Sequence, residues 1–219
     1  MKRIREDKIK RICKKYIQGS SLREIARFEK ISPSTVKKHL LKNKIKVKTK
    51  EIIKGVKDNE LLKGLYIGTW CGDGTQYLDK GYRIKICCHS ENKLMIKFFK
   101  NLLKDLFNKN IVKVRYEERH RALIRFKSKF IYQFVYEYIK CGHNKTHSVE
   151  LKNIIDTYSK DFIEGFVLGL SLTDGYLKKK FYFNVTSEKL AQNLIQILKT
   201  WGLNPNYYIH QREKYGWKD

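Results

Sequence analysis

The stretch ELLKGLYIGTWCGDGT at residues 60–75 recurs in altered form at residues 161–176, as DFIEGFVLGLSLTDGY. Superposing the two copies aligns four identical pairs: Gly64/Gly165, Gly68/Gly169, Asp73/Asp174 and Gly74/Gly175. The positions between them are nearly all apolar or small, which predicts in each copy an apolar helix of about 13 residues that ends in Asp-Gly. We therefore interpret the chain as containing two repeats of one structural unit.

Small residues follow a regular spacing in both copies. They are Gly64, Gly68 and Gly72 in the first, and Gly165, Gly169 and Thr173 in the second. Residues four apart share one face of a helix, and small side chains there allow two backbones to approach closely. Because glycine inside a helix costs about 1 kcal/mol relative to alanine, its repeated use requires a reason. We expect the two helices to pack against each other through these faces, about a pseudo-twofold axis.

Asp73 and Asp174 fall at the C-terminal ends of these helices, each before a glycine that we expect to end the helix in the left-handed conformation. An acid at a helix C-terminus is unfavourable because the helix dipole is negative there. Parallel packing would bring both carboxylates together, which requires cations between them. Oxygen ligands suit Mg2+ (or Mn2+), so we predict a metal site at Asp73 and Asp174 with their neighbours Gly72 and Thr173. For a single copy, a simple helix cap would be the better interpretation.

After each Asp-Gly the sequence alternates in the manner of strands and then becomes helical again. The pattern predicts an α+β fold made of tandem αββαββα units with curved antiparallel sheets. One face of each sheet packs on helices, and the other presents polar side chains to a nucleic-acid duplex. The candidate DNA contacts on these strands are Arg83, Lys85, Lys178, Lys180 and Asn184.

The second copy is shorter than the first. Residues 206–212 are predicted to match the third strand of the first copy, and the sequence stops before a counterpart of residues 124–140. We therefore expect a truncated second repeat.

Charge indicates the partner. The chain has 48 Lys and Arg residues against 22 Asp and Glu, a net charge of +26, and the default partner of such a chain is nucleic acid. It has no run of 18 apolar residues, no lipidation motif and no glycine loop that would hold phosphates, so neither a membrane nor a small-molecule substrate is expected. Five cysteines without disulfide spacing, and no signal peptide, predict a cytoplasmic, nucleoid-associated protein.

Residues 1–49 form a separate basic segment with the pattern of three helices. Glu24-Ile25-Ala26, Ile31-Ser32-Pro33 and Thr35-Val36 with Leu40 resemble a helix-turn-helix of the resolvase and transposase type. Lys30 departs from that type, since it stands where the turn usually carries glycine. The resemblance implies that the helix from Pro33 enters the major groove. It would place Ser34, Thr35, Lys37 and Lys38 against DNA. An ordinary three-helix packing module is the alternative, but the charge favours DNA binding.

Residues 58–219 resemble the LAGLIDADG homing endonucleases in their single-chain, two-repeat form. The motif falls on residues 66–74 and 167–175, with Cys71 and Leu172 in place of its earlier acid. The boundaries are a basic linker at 50–57, repeat 1 at 58–140, a connector at 141–158 and repeat 2 at 159–219. The resemblance implies metal-dependent double-strand cleavage of a long DNA site by a monomer. It assigns the metal to Asp73 and Asp174, and its late basic residue is matched by Lys127.

Two other functions stay open. A catalytically inactive DNA-binding regulator built on the same scaffold is favoured by the short second repeat, whereas the two intact aspartates favour the endonuclease. An RNA maturase that assists intron splicing is the third candidate, because basic charge does not separate RNA from DNA. Cys141, His143 and His147, with Cys87, Cys88 or His89 as a further ligand, are a candidate metal cluster without regular zinc spacing, for which a polar connector is the alternative.

Overall fold

The structure is a computed structural model of the 219-residue chain, and it describes residues 5–18, 20–45, 47, 55–78, 81–110 and 112–209. The chain divides into two compact units, Met1–Glu51 and Ile52–Asp219. Most of the predicted basic linker, residues 50–54, lies outside the described part. None of the helices in the described ranges has the length and apolar character needed to span a membrane.

The described residues of the first unit form three helices, α1 (Glu6–Ile17), α2 (Leu22–Phe28) and α3 (Pro33–Lys42). Ser21 and Glu24 close a capping box at the start of α2, and Ser32 caps α3 by accepting a hydrogen bond from the backbone of Thr35. Buried side chains of these helices form a small separate core together with Val47, which follows α3: Ile12, Ile25, Ala26, Val36, Leu40 and Val47. Lys30 lies between α2 and α3 with φ of 51°, the left-handed conformation expected where such a turn usually carries glycine.

The second unit begins with a helix and a four-stranded sheet in its described residues. The elements are α4 (Glu60–Asp73), β1 (Gly74–Leu78), β2 (Tyr82–His89), α5 (Lys93–Phe107), β3 (Lys113–Glu117), β4 (Arg121–Lys127) and α6 (Lys129–Tyr138). The sheet is antiparallel with the strand order β1-β2-β4-β3. Ile84, Ile86 and Ile124 are buried on its inner face, in one core with the apolar side of α5.

A connector and a second, smaller set of elements follow. They are β5 (Ile139–Lys140), α7 (Lys145–Ser148), β6 (Glu150–Leu151), a 3-10 turn (Ile155–Thr157), α8 (Lys160–Asp174), β7 (Gly175–Leu177), β8 (Phe181–Phe183) and α9 (Glu188–Thr200). β7 pairs only with β8 among the described residues, so this sheet has two strands there. The strand predicted at residues 206–212 is not formed over residues 206–209, and the remainder of that prediction lies outside the described residues.

Helices α4 and α8 pack with their backbones in contact. A Cβ atom added to Gly64 would collide with the carbonyl oxygen of Phe162, and one added to Gly68 with that of Phe166. The contact is reciprocal, since Gly165 and Gly169 lie in the same way against the carbonyl oxygens of Leu61 and Leu65. Residue numbers rise together along both helices, which therefore run parallel. The expected glycine-faced packing is confirmed, and it brings Asp73 and Asp174 to the same end.

The glycines after the two aspartates do not adopt the left-handed conformation that we expected. Gly74 has φ −82° and ψ 147°, and Gly175 has φ −90° and ψ 146°, so each helix passes directly into an extended strand. The prediction was wrong because glycine is required at these two positions by the lack of space for a side chain, and not by a positive φ. A Cβ on Gly74 would lie 2.6 Å from the carbonyl oxygen of Trp70, and one on Gly175 would lie 2.7 Å from the ring of Phe181.

Candidate metal centre and nucleic-acid interface

The centre of the second unit is formed by the C-terminal ends of α4 and α8, where Asp73 and Asp174 lie. Gly72 packs against Thr173, and a Cβ there would come within 2.9 Å of Oδ1 of Asp174. The missing side chain therefore lets the carboxylate of one helix approach the backbone of the other. The two acids are 101 positions apart in the sequence, and at these helix ends they lie close enough for the charge of Asp73 to act on Asp174.

Both carboxyl groups are harder to ionise than isolated ones. Burial raises the pKa of Asp73, and the charge of Lys145 opposes that rise. Burial, followed by repulsion from Asp73, raises the pKa of Asp174 to about 6, again against the opposing effect of Lys145. Burial is therefore the main cause of the raised pKa at both groups, and repulsion from the neighbouring carboxyl adds to it at Asp174.

Lys145, the first residue of α7, contributes a cation that the sequence did not reveal. Its Nζ donates hydrogen bonds to the carbonyl oxygens of Gly72, at 2.9 Å, and Gly74, at 2.7 Å. It also lies 5.0 Å from the centre of the Trp70 ring, a cation–π contact. These carbonyls have no intrahelical hydrogen-bond donor, and they lie at the negative end of the α4 dipole. An ammonium group both donates the missing hydrogen bonds and provides a compensating positive charge.

The electrostatics of Lys145 link it to the rest of the site. Burial lowers its pKa, while Cys71, Asp174 and Asp73 favour the charged form. Cys71, which stands where the family motif carries an acid, is buried, and burial raises the pKa of its thiol to about 12. Cys71 is therefore a neutral thiol near pH 7 and a poor metal ligand.

The residues present suit a hard divalent cation. Two carboxyl groups meet at two helix C-termini, where burial and the charge of Asp73 raise the pKa of Asp174 and the charge of Lys145 opposes the rise. Such an oxygen donor set fits Mg2+ or Mn2+. Of the other two predicted ligands, the Gly72 carbonyl accepts a hydrogen bond from Lys145, and the Thr173 hydroxyl donates one to the carbonyl of Leu170 at 3.1 Å.

Lys127, the basic residue that the family resemblance selected, is not brought to the aspartates. Gly74 pairs with Ile86, which pairs with Ile124 on the neighbouring strand. Lys127 is three residues farther along β4, about 10 Å of strand beyond Ile124, and its Nζ lies 3.7 Å from the position of a Cβ added to Gly81. Lys145 occupies the position near the carboxylates instead. No periodic sequence pattern pointed to Lys145, because it follows four connector residues, 141–144, that belong to no helix or strand.

Lys127 belongs instead to a basic face on the outer side of the four-stranded sheet. The register places Lys85 beside Arg125 and Arg83 beside Lys127, all on the side away from the buried isoleucines. Nζ of Lys85 and the guanidinium of Arg83 lie 4.8 and 5.8 Å from the ring centre of Tyr77. Arginine and lysine interleaved with an aromatic side chain on an open sheet form a surface suited to phosphates and bases.

The smaller sheet carries the remaining predicted contacts of this unit. Lys178 and Lys180 are exposed in the turn between β7 and β8, and the Tyr176 and Tyr182 rings stack across the two strands at 5.1 Å. Asn184 is exposed after β8, where its backbone N–H donates to the carbonyl oxygen of Asp174 at 2.8 Å. This bond ties the turn-bearing strand to the end of α8.

The predicted contacts of the first unit lie at the start of α3. Ser34 and Thr35 hydrogen-bond through their hydroxyls to that of Ser32, at 2.7 and 2.8 Å. Lys37 and Lys38 are exposed, while Val36, which directly precedes them, is buried. The N-terminal half of α3 thus presents hydroxyls and lysines on its open side.

Comparison with known proteins defines the fold. No family model matches the sequence, and no curated protein matches it. Among solved structures, the fold is similar to that of mesophilic variants of the homing endonuclease I-DmoI, with a TM-score of 0.55 and 19% identity over 70% of this chain and 84% of that one. The crystal structure of I-DmoI in complex with DNA and Mn matches with a TM-score of 0.52 and 15% identity, over 71% and 85%.

Proposed function

We propose that this chain is a metal-dependent, site-specific endonuclease of the LAGLIDADG homing type that hydrolyses phosphodiester bonds on both strands of DNA. The observation that carries this proposal is the meeting of Asp73 and Asp174 at the parallel ends of α4 and α8, where burial and the charge of Asp73 raise the pKa of Asp174. The similarity in fold to I-DmoI, which has been crystallised with DNA and Mn, supports it.

Asp73 and Asp174 would hold Mg2+ (or Mn2+), which when bound supplies activation of water and stabilisation of charge on the phosphate and the leaving oxygen. Each aspartate ends the first helix of one repeat, so each would serve one DNA strand in a monomer with pseudo-twofold symmetry. The glycine faces bring the backbones of α4 and α8 into contact, and this close packing sets how near the two acids lie to each other.

Lys145 takes the basic role that the sequence assigned to Lys127. Its hydrogen bonds to Gly72 and Gly74 hold the ammonium group at the end of α4, next to both carboxylates. From there its charge limits the repulsion between the acids and favours an incoming phosphate, on which negative charge builds during hydrolysis. Lys127 instead joins the face that contacts the DNA backbone.

Duplex DNA would lie along the outer faces of the two sheets. Arg83, Lys85 and Lys127 provide phosphate contacts on one side of the cut, and Lys178 and Lys180 provide them on the other. The first unit would add a helix-turn-helix, with α3 in a major groove and Ser34 and Thr35 near base edges. Binding through so many cations should weaken steeply with salt.

A non-catalytic DNA-binding regulator is the second candidate. It is favoured by the smaller sheet, which has two strands in the described residues where the first repeat has four. An intron RNA maturase is the third, and its distinguishing property would be preference for structured RNA over duplex DNA.

The test is cleavage of a randomised duplex library with Mg2+, with the cut ends captured and sequenced. Wild type is compared with Asp73→Asn and Asp174→Asn, and with Asp161→Asn as a matched control on the exposed first turn of α8. The endonuclease requires cuts that depend on metal, survive in the control and disappear in both site variants. Tight binding without cuts in any of the four proteins would indicate the regulator, and preferential binding of RNA the maturase.

A further inference from the structure

A second cluster of potential metal ligands lies at one end of the two central strands of the four-stranded sheet, where β2 ends and β4 begins. His89, Glu91 and His120 each offer one ligand atom there, and these three atoms all lie within 4.8 Å of one another. Nδ1 of His120 is 3.3 Å from Oε1 of Glu91. The imidazole rings of His89 and His120 lie parallel, with centres 5.5 Å apart and planes inclined by 7°.

The backbone holds these residues in place. His89 is the last residue of β2 and pairs with Arg121, and the next N–H, that of Ser90, donates to the carbonyl oxygen of His120 at 2.8 Å. Arg119 and His120 both have positive φ, 60° and 56°, in the turn between β3 and β4. That conformation is uncommon for residues other than glycine, and it directs His120 towards β2.

The donor set points to a particular class of ion. Two imidazole nitrogens with one carboxylate oxygen suit zinc and its divalent neighbours cobalt and nickel, whereas Mg2+ prefers oxygen alone. Arg121 pairs with His89 across the strands, and its guanidinium interacts with Cys87 and Glu117. The side chains of His120 and Glu91 are 69% and 73% exposed, so they can rotate until their donors reach the usual bond lengths of about 2.0–2.2 Å.

We propose that His89, Glu91 and His120 form a surface site for a divalent transition-metal ion of the zinc class, separate from the carboxylate pair. Three protein ligands leave at least one coordination position for water. The ligands come from the β2–α5 junction and the β3–β4 turn. A bound ion therefore cross-links these two connections and should raise the stability of the fold. The proposal does not depend on DNA cleavage.

The test uses the full-length chain carrying Asp73→Asn and Asp174→Asn, which removes the carboxylate pair as a competing site. ZnCl2 is titrated by calorimetry with Mg2+ present in excess, and CoCl2 is followed by its visible absorption. We expect one ion per chain and a rise in unfolding temperature with Zn2+. Loss of the hydrogen-bond partners of a metal ligand costs about 10–100-fold in affinity, so loss of a ligand itself should cost at least about 100-fold.

The ligand variants are His89→Ala, Glu91→Gln and His120→Asn, the last chosen because asparagine tolerates positive φ. His143→Ala, an exposed histidine of the connector, and Cys87→Ser are the matched controls and should bind Zn2+ like the parent. Binding that persists unchanged in the His89 and His120 variants would overturn the proposal. So would a thiolate-to-cobalt charge-transfer band lost in Cys87→Ser, which would assign the ion to a cysteine.

Discussion

Nζ of Lys145 donates a 2.7 Å hydrogen bond to the carbonyl oxygen of Gly74, although 71 positions separate the two residues. The bond joins the connector between the repeats to the end of α4, one residue after Asp73. The candidate site is therefore not only the sum of two equivalent helix ends. One cation from outside both helices balances it, and this asymmetry leads to the first two predictions.

Replacement of Lys145 by methionine should destabilise the metal-free protein. The change leaves two carbonyl oxygens without their donor and two carboxylates without their nearest cation, so we expect the free energy of unfolding to fall by about 2 kcal/mol at pH 8. Urea unfolding in the presence of a chelator measures it. In a background of Asp174→Asn the loss should be smaller, because less negative charge then remains to be balanced.

Lys152→Met, at an exposed lysine of the same connector, is the control and should change stability by less than about 0.5 kcal/mol. If Lys145→Met costs the same with and without Asp174→Asn, the ammonium and the carboxylate are not coupled, and the role assigned to Lys145 fails.

The stability of the metal-free protein should fall as pH rises from about 4 to about 6. The pKa of Asp174 is raised from 3.8 to about 6 in the folded state, so over this range the folded chain binds more protons than the unfolded chain. Allowing for the partial exposure of this carboxyl, the loss should be about 1–2 kcal/mol. Urea unfolding at successive pH values, for wild type and Asp174→Asn, isolates the contribution of this group.

The two unfolding curves should converge near pH 4 and diverge by pH 7, with the asparagine variant the more stable. Saturating Mg2+ should reverse that order, because only the wild type gains both ligands. A constant difference at all pH values would show that Asp174 titrates normally.

Gly68→Ala should disrupt the packing of the two repeats. The new methyl would meet the backbone carbonyl of Phe166, and backbone of two packed helices cannot yield as a side chain can. We expect a loss of about 3 kcal/mol or failure to fold, measured by thermal and urea unfolding. Gly55→Ala is the matched control, because nothing lies within 4 Å of its added Cβ atom. Equal behaviour of the two variants would refute close contact between α4 and α8.

The first unit should contribute phosphate contacts. The double variant Lys37→Ala/Lys38→Ala is expected to reduce the slope of log affinity against log salt by about one per lost contact. Fluorescence anisotropy with labelled duplex DNA over a series of NaCl concentrations measures it. Lys97→Ala/Lys100→Ala, at two exposed lysines of α5 on the helical side of the sheet, should leave the slope unchanged. Equal slopes for both double variants would exclude α3 from the interface.

The sequence by itself determined the features that depend on neighbours a few residues apart. Helical periodicity and the recurrence of glycine every four residues placed α4 and α8 and their contact faces. Ser32-Pro33 marked the start of α3, and the two Asp-Gly pairs marked the candidate metal centre. These features follow from helix geometry and capping, which act within a turn or two, so a linear pattern records them.

Only the tertiary structure decided which basic residue lies at the candidate metal centre. It placed Lys145 at that centre and Lys127 on the outer face of the sheet. It also brought His89, Glu91 and His120 together at one end of the central strands. It also showed that Gly74 is extended and is required for want of space beside Trp70. Each of these depends on the path of a connector or on the register between strands. Such paths are set by packing over long sequence separations, where many routes satisfy the same local pattern.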